Sequence, residues 1–189
     1  MSTNLEIEAK ALLTKADYDK LIARFGSENI YKQINYYIDS DNRDIISKKC
    51  GLRIRTIGDE NELTLKIPSG DGKLEINQQI SSKSLNLFIS NNVFPNGEVK
   101  DYITANLGID STTLKCLGEL VTYRFDIKKE NCQISIDKSQ YHSITDYEVE
   151  CEADSMDKAI SELKEFLNKF GIEYKKSPKS KLRRFLDTL

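Results

Sequence analysis

Long apolar runs are missing from this 189-residue chain. Nowhere do about eighteen apolar residues follow one another, so no helix is predicted to cross a membrane. Met1-Ser2-Thr3-Asn4-Leu5-Glu6 has no basic region followed by an apolar segment, which predicts a cytoplasmic chain. Charge of one sign is missing as well: 28 basic residues against 30 acidic ones leave −2. No overall field therefore draws in nucleic acid or an anionic membrane, and any polyanion site must be local. Histidine occurs once, at His142, with no acid or nucleophile at a useful spacing, and it reads as a surface residue. Cys50, Cys116, Cys132 and Cys151 stand far apart with no Cys-x-x-Cys pair, so zinc is not expected and free buried thiols are. There is no internal repeat, low-complexity tract or Walker loop.

What is present is alternation. Along Leu5 to Ala11 the residues Glu6, Glu8 and Lys10 share one side of an extended chain, and Leu5, Ile7, Ala9 and Ala11 the other. The same pattern returns at Gly51 to Ile57 (Arg53, Arg55), Asn61 to Ile67 (Glu62, Thr64, Lys66) and Lys73 to Ile80 (Glu75, Asn77). It continues at Val121 to Ile127 (Arg124, Asp126), Gln133 to Lys138 (Ser135, Asp137) and Tyr147 to Glu152 (Glu148, Glu150, Glu152). Gly58-Asp59-Glu60 and Pro68-Ser69-Gly70-Asp71-Gly72 read as turns between strands. Gly118 is predicted to divide Leu114 to Ile127 into two strands. Helical spacing follows Thr14 and Ser155, both read as N-caps, and two short helices are predicted between Ser81 and Gly108. A last helix is predicted to start at Pro178.

With 39% hydrophobic residues the chain is predicted to form one domain, 1-189, of the α+β class. About eight strands joined mostly by short turns predict an antiparallel sheet, open or closed on itself. If helices cover the outside of a closed sheet, the charged face lines an interior, which is costly unless something binds there. Crowded carboxylates repel until a divalent cation joins them. Glu6, Glu8, Glu148 and Glu150 suit Mg2+ or Mn2+, hard ions that prefer oxygen. Arg53, Arg55, Arg124, Lys10 and Lys66 suit phosphate oxygens. Acids for metal and bases for phosphate imply a metal-bridged polyphosphate.

Glu6-Ile7-Glu8-Ala9-Lys10 resembles the ExExK signature of the CYTH superfamily, the triphosphate tunnel metalloenzymes. Tyr37-Ile38-Asp39-Ser40, Leu52-Arg53-Ile54-Arg55, Leu63-Thr64-Leu65-Lys66, the Arg124 strand, Asp137 and Tyr147-Glu148-Val149-Glu150 follow in that family's order. The resemblance implies a closed eight-stranded antiparallel β tunnel with helices packed outside. It implies metal ligands Glu6, Glu8, Asp137, Glu148 and Glu150, and substrate-binding residues Lys10, Arg53, Arg55, Lys66, Glu75, Arg124 and a late lysine. That lysine is Lys181, with Lys179 as the alternative. Lys10 and Glu148 are the implied catalytic residues, beside the terminal phosphate and the attacking water. The implied substrate is a small-molecule triphosphate, handled by a monomer or homodimer. Alternatives are a class IV adenylate cyclase forming cyclic AMP from ATP, a non-catalytic polyphosphate binder, and an open sheet with one wet face.

Overall fold

The computed structural model describes residues 2–189. In chain order the elements are β1 (Ser2–Glu6), β2 (Glu8–Leu13), α1 (Lys15–Phe25), β3 (Tyr31–Asp39), α2 (Asp44–Ser47), β4 (Gly51–Ile57), β5 (Glu60–Ser69) and β6 (Gly72–Ile80). Then come α3 (Ser82–Asn91), α4 (Glu98–Leu107), β7 (Lys115–Lys128), β8 (Cys132–Tyr141), β9 (Ile144–Ala153), α5 (Met156–Asn168) and α6 (Lys181–Leu186). The class is α+β, with antiparallel strands and helices on their apolar side, as alternation predicts. The chain divides into two compact units, Met1–Leu5 with Gln33–Leu120, and Glu6–Lys32 with Val121–Leu189.

In the first unit the strand order is β1-β6-β5-β4-β3. Leu52 and Ile54 of β4, Leu63 and Leu65 of β5 and Ile76 of β6 are buried with Leu85 and Phe88 of α3 and Val99 and Ile103 of α4. The polar residues between them therefore occupy the opposite face. Helix α4 lacks a side-chain cap of its own, because Gly97 precedes it. Gln78 substitutes: its Oε1 accepts from Val99 N at 3.2 Å while its Nε2 donates to Asn96 O at 2.8 Å. Gly97 is at φ 129°, which favours glycine, and a Cβ there would meet the amide end of Gln78 at 2.6 Å and push it out of its capping position.

In the second unit the order is β7-β8-β9-β2. Ala9, Ala11, Val149, Cys151, Ile134, Ile136 and Phe125 form its apolar face, covered by Tyr18 and Leu21 of α1 and Leu163, Phe166 and Leu167 of α5. Both helices start as predicted: Thr14 and Asp17 form a reciprocal capping box, and the Ser155 side chain accepts from Lys158 N.

Three local expectations change. The leading strand is broken at Ile7 into β1 and β2, which raises the count among the described residues to nine. β7 runs unbroken for 14 residues, because Gly118, at φ 142°, keeps the chain extended where another residue would be strained. The last helix starts at Lys181 rather than Pro178, since the Ser180 side chain accepts from Arg183 N and fixes the first turn there.

Candidate functional site

In the second unit, register alone gathers the ionic residues. Arg124 lies opposite Asp137, Asp137 opposite Glu148, Ser135 opposite Glu150, and Glu150 opposite Lys10. Directly opposed side chains on one face have Cβ atoms about 5 Å apart, so these groups meet. Asp137, Glu148 and Glu150 are all buried, and each offers a carboxylate oxygen within 4.8 Å of the others'. Without countercharge such a set repels itself strongly.

Three cations stand against it. Arg124 donates Nε to Asp137 Oδ1 at 2.7 Å and Nη2 to Asp137 Oδ2 at 2.6 Å, and Nη2 also to Glu150 Oε2 at 2.5 Å. Lys10 Nζ is 2.8 Å from Glu150 Oε1 and 2.6 Å from Glu8 Oε1. Lys181 Nζ reaches all three acids, at 2.7 Å from Asp137, 2.5 Å from Glu148 and 2.8 Å from Glu150. The Lys181 ammonium thus supplies a positive charge where the carboxylates converge.

Lys181 reaches this place through backbone pairing. Lys176 bridges to Ala11, and Ser177 N donates to Lys10 O at 3.0 Å, which lays the segment before α6 beside β2. Phe185, fully buried, packs against the Tyr141 and His142 rings at 6.1 and 5.2 Å and anchors the helix. Lys179 instead pairs with Asp187 at 2.6 Å in an exposed position, so Lys181 is the one of the two lysines that touches the carboxylate set.

The titration behaviour follows from burial and partners. Burial pushes the Glu150 carboxyl up, but Lys10, Lys181 and Arg124 together outweigh it and hold Glu150 well below the usual range. Asp137 is likewise lowered, burial being outweighed by Arg124 and Lys181. Glu148 goes the other way: burial pushes it up, and Lys181 only partly opposes this while Glu150 adds to it. Two adjacent carboxylates therefore differ, Glu150 fixed as an anion and Glu148 the one biased toward taking a proton. Burial lowers the Lys10 ammonium, but Glu150, Glu8 and Glu148 raise it well above its ordinary value.

Glu8 and Lys10 share the predicted face, and Glu8 reaches this cluster through Lys10. Glu6 is half-buried at the end of β1 and is not in the tight carboxylate set.

The remaining predicted residues form a row on the first unit's polar face. Tyr37, Arg53, Thr64 and Asn77 are successive cross-strand partners, as are Asn35, Arg55, Glu62 and Gln79, and Lys66 opposes Glu75. Lys66 Nζ is 2.5 Å from Glu75 Oε1, and Arg55 Nε donates to Asn35 Oδ1 at 3.0 Å. Arg53 Nε, Thr64 Oγ1 and Asn77 Oδ1 are buried yet make no hydrogen bond within the protein. Three aligned polar atoms of that kind are a costly arrangement in a purely structural sheet and leave hydrogen-bonding capacity for a polar ligand.

Burial raises the Glu75 carboxyl, but Lys66 and Arg53 outweigh it, with hydrogen bonds from Lys66 and Asn77, and leave it lowered from its ordinary 4.5. A depressed native pKa stabilises the fold above the unfolded value, and that contribution is lost as pH falls through the native one. Wild-type protein is therefore expected to lose melting temperature on acidification below about pH 4.5. The Glu75→Gln variant should be less stable at neutral pH, by about 1–3 kcal/mol, and should fall less steeply. Parallel pH profiles for the two proteins would contradict this.

Two residues at this centre escape the sequence reading. Arg184 lies 2.8 Å from both Asp146 Oδ2 and Glu148 Oε2. Asp146 continues the period-two run of Glu148, Glu150 and Glu152, and Arg184 is three residues after Lys181 in α6, so parity and helical spacing were the available signals. All four cysteines are free, but only Cys50 and Cys151 are buried as expected, Cys116 and Cys132 being half-buried, and burial pushes Cys151 up to about 12.

Fold and geometry define an α+β protein whose antiparallel strands carry buried acid–base clusters on their polar faces. The CYTH domain model matches residues 4–186, and the chain belongs to that family. A Bacillus subtilis (strain 168) protein described as a candidate triphosphatase, YjbK, is 32% identical over 189 residues, covering 99% of this chain and 97% of that one. The crystal structure of a candidate adenylate cyclase from Bacillus halodurans is 34% identical with a TM-score of 0.90, covering 98% of this chain and 99% of that one. A structure from Hippeastrum, HpAC1, described as a candidate adenylyl cyclase with a dominant triphosphatase activity, matches the fold at a TM-score of 0.81 and 22% identity, covering 97% and 96%. No helix among the described residues is long and apolar enough to cross a membrane.

Proposed function

We propose that this protein is a divalent-metal-dependent triphosphatase that hydrolyses the terminal phosphoryl group of inorganic tripolyphosphate, thiamine triphosphate or a nucleoside triphosphate. The observation that carries this reading is the convergence of Asp137, Glu148 and Glu150 with Lys10, Arg124 and Lys181 in one buried centre. Three hard oxygen donors within 4.8 Å of one another fit Mg2+ or Mn2+ and do not fit a soft metal. Asp137, Glu148 and Glu150, with Glu8 and Glu6 from the leading segment, would hold the ion. When bound, it would neutralise phosphate charge and polarise the reacting phosphoryl group.

The chain's own groups supply the rest. Lys10, Arg124 and Lys181 donate to oxygens of the phosphate chain, and Arg53, Arg55 and Lys66 provide further phosphate-binding cations, accompanied by Glu75. Fixed cations suit phosphoryl transfer, in which negative charge spreads over the transferring group and positioning matters more than covalent chemistry. Glu148 accepts a hydrogen bond from the attacking water and orients it in line. The water oxygen forms the new bond to phosphorus, the bridging bond to the diphosphate leaving group breaks, and the water proton passes to carboxylate or solvent.

The similarity to a protein described as a candidate adenylate cyclase keeps a second reaction in view: attack by the ribose 3′ oxygen on the α-phosphorus of ATP. Purified protein incubated with tripolyphosphate, thiamine triphosphate and ATP, each with Mg2+ and with Mn2+, separates the two. The expected outcome is metal-dependent phosphate release without cyclic AMP. Cyclic AMP with diphosphate would establish the cyclase, and phosphate-chain binding with no turnover under either metal would leave a binding protein.

A further inference from the structure

Arg184 has no place in the triphosphatase reading given above, yet it makes more contacts at the centre than its position suggests. Its Nε donates to Asp146 Oδ2 at 2.8 Å and its Nη2 to Asp146 Oδ1 at 3.5 Å. Its Nη1 donates to Glu148 Oε2 at 2.8 Å, to Lys179 O at 2.8 Å and to Ser177 Oγ at 3.2 Å. Asp146 is itself fixed by Tyr141, whose hydroxyl donates to Oδ2 at 2.8 Å. The two arms of the guanidinium thus grip neighbouring carboxylates of β9, and the side chain is only 12% exposed.

Glu148 is fully buried, and its two oxygens have separate duties. Oε2 is taken by Arg184, while Oε1 points at Lys181 and belongs to the side that faces Asp137 and Glu150. We propose that Arg184 is the positioning residue of the metal centre: by occupying Oε2 it fixes the rotamer of Glu148 so that Oε1 is presented to the cation. This inference rests on the metal-dependent reading above. A carboxylate oriented by a hydrogen bond on its far oxygen binds metal better than a mobile one, and loss of such an orienting partner costs roughly 10–100-fold in affinity or activity. A planar fork can hold Asp146 and Glu148 together, whereas a lysine ammonium is a single point charge.

The test is Mn2+ binding by the full chain without substrate, followed by calorimetry or by the electron paramagnetic resonance of free Mn2+. Wild type, Glu150→Gln, Arg184→Met and Arg184→Lys are compared, with circular dichroism to show that each is folded. Arg184→Met is expected to bind Mn2+ roughly 10–100-fold more weakly than wild type, with Arg184→Lys between them. At saturating Mn2+, kcat should recover in larger part than the metal affinity does. Mn2+ binding by both Arg184 variants within twofold of wild type would overturn the inference, even if KM for tripolyphosphate rises, because that pattern assigns Arg184 to seating α6 alone. Should Arg184→Met fail to fold, the Arg184→Lys affinity decides by the same criterion. Absence of saturable binding in wild type itself, matching Glu150→Gln, would instead remove the metal-dependent reading on which the inference stands.

Discussion

Replacing Glu150 with glutamine is expected to lower metal-dependent turnover of tripolyphosphate by on the order of a thousandfold, the scale set by losing one preorganised charge-stabilising group. Glu150 accepts from Lys10, Lys181 and Arg124 at once, at 2.8, 2.8 and 2.5 Å. Those three contacts hold it ionised although it is buried. The amide preserves shape but removes the charge and turns one accepting oxygen into an NH2 donor that faces either Arg124 or the two lysines. Mn2+ binding should disappear with it, because one of the three convergent donors is gone. Metal-free binding of tripolyphosphate should persist or tighten, since the same three cations then face one anion fewer. Isothermal titration with each ligand reads both effects. Retention of turnover, or undiminished Mn2+ binding, would exclude Glu150 from the reacting centre.

Arg124→Met is expected to have the largest effect on stability. The guanidinium is paired on two sides with Asp137 and on a third with Glu150, and Asp137 is fully buried. Removing one partner of a buried ionic set costs about 3–5 kcal/mol, because the remaining charges are left in low dielectric. For a chain of this size that corresponds to a fall in melting temperature of roughly 6–20 °C. A divalent ion that replaces the lost positive charge should recover part of the deficit, so millimolar Mn2+ should raise the variant's melting point by more than it raises the wild type's. An unchanged melting point would mean that Asp137 and Glu150 do not depend on Arg124 for their burial. Equal metal-induced shifts would mean that the metal does not share its site.

Much of each unit's polar face was legible because strand parity is a local property. Glu148 and Glu150, Glu8 and Lys10, Arg53 and Arg55 each fall on the charged face simply by being two apart, since the pleat turns alternate side chains the same way whatever the rest of the chain does. The apolar residues between them do form the two cores, and Thr14, Asp17 and Ser155 cap helices where predicted. Composition adds only the expectation that an anion site would be local, because 28 bases and 30 acids leave a net charge of −2.

What parity cannot supply is which residues on that face touch. That Asp137 meets Glu148 depends on the two-residue turn His142-Ser143, in which His142 takes φ 47° and closes Tyr141 onto Ile144; that Lys66 meets Glu75 depends on the turn at Gly70, φ 55°, which closes Ser69 onto Gly72. The break at Ile7 is invisible to side-chain period, because it is a change of hydrogen-bonding partner that leaves alternation nearly intact. Arg184 and the choice of Lys181 over Lys179 were decided by the seating of α6 through Lys176, Ser177 and Phe185, contacts made with residues more than forty positions away or on another strand. The sequence by itself determined which side chains are charged and which face they share, since both follow from the geometry of a single extended strand. Only the tertiary structure decided their mutual distances, since register and helix docking come from pairing between segments far apart in the chain.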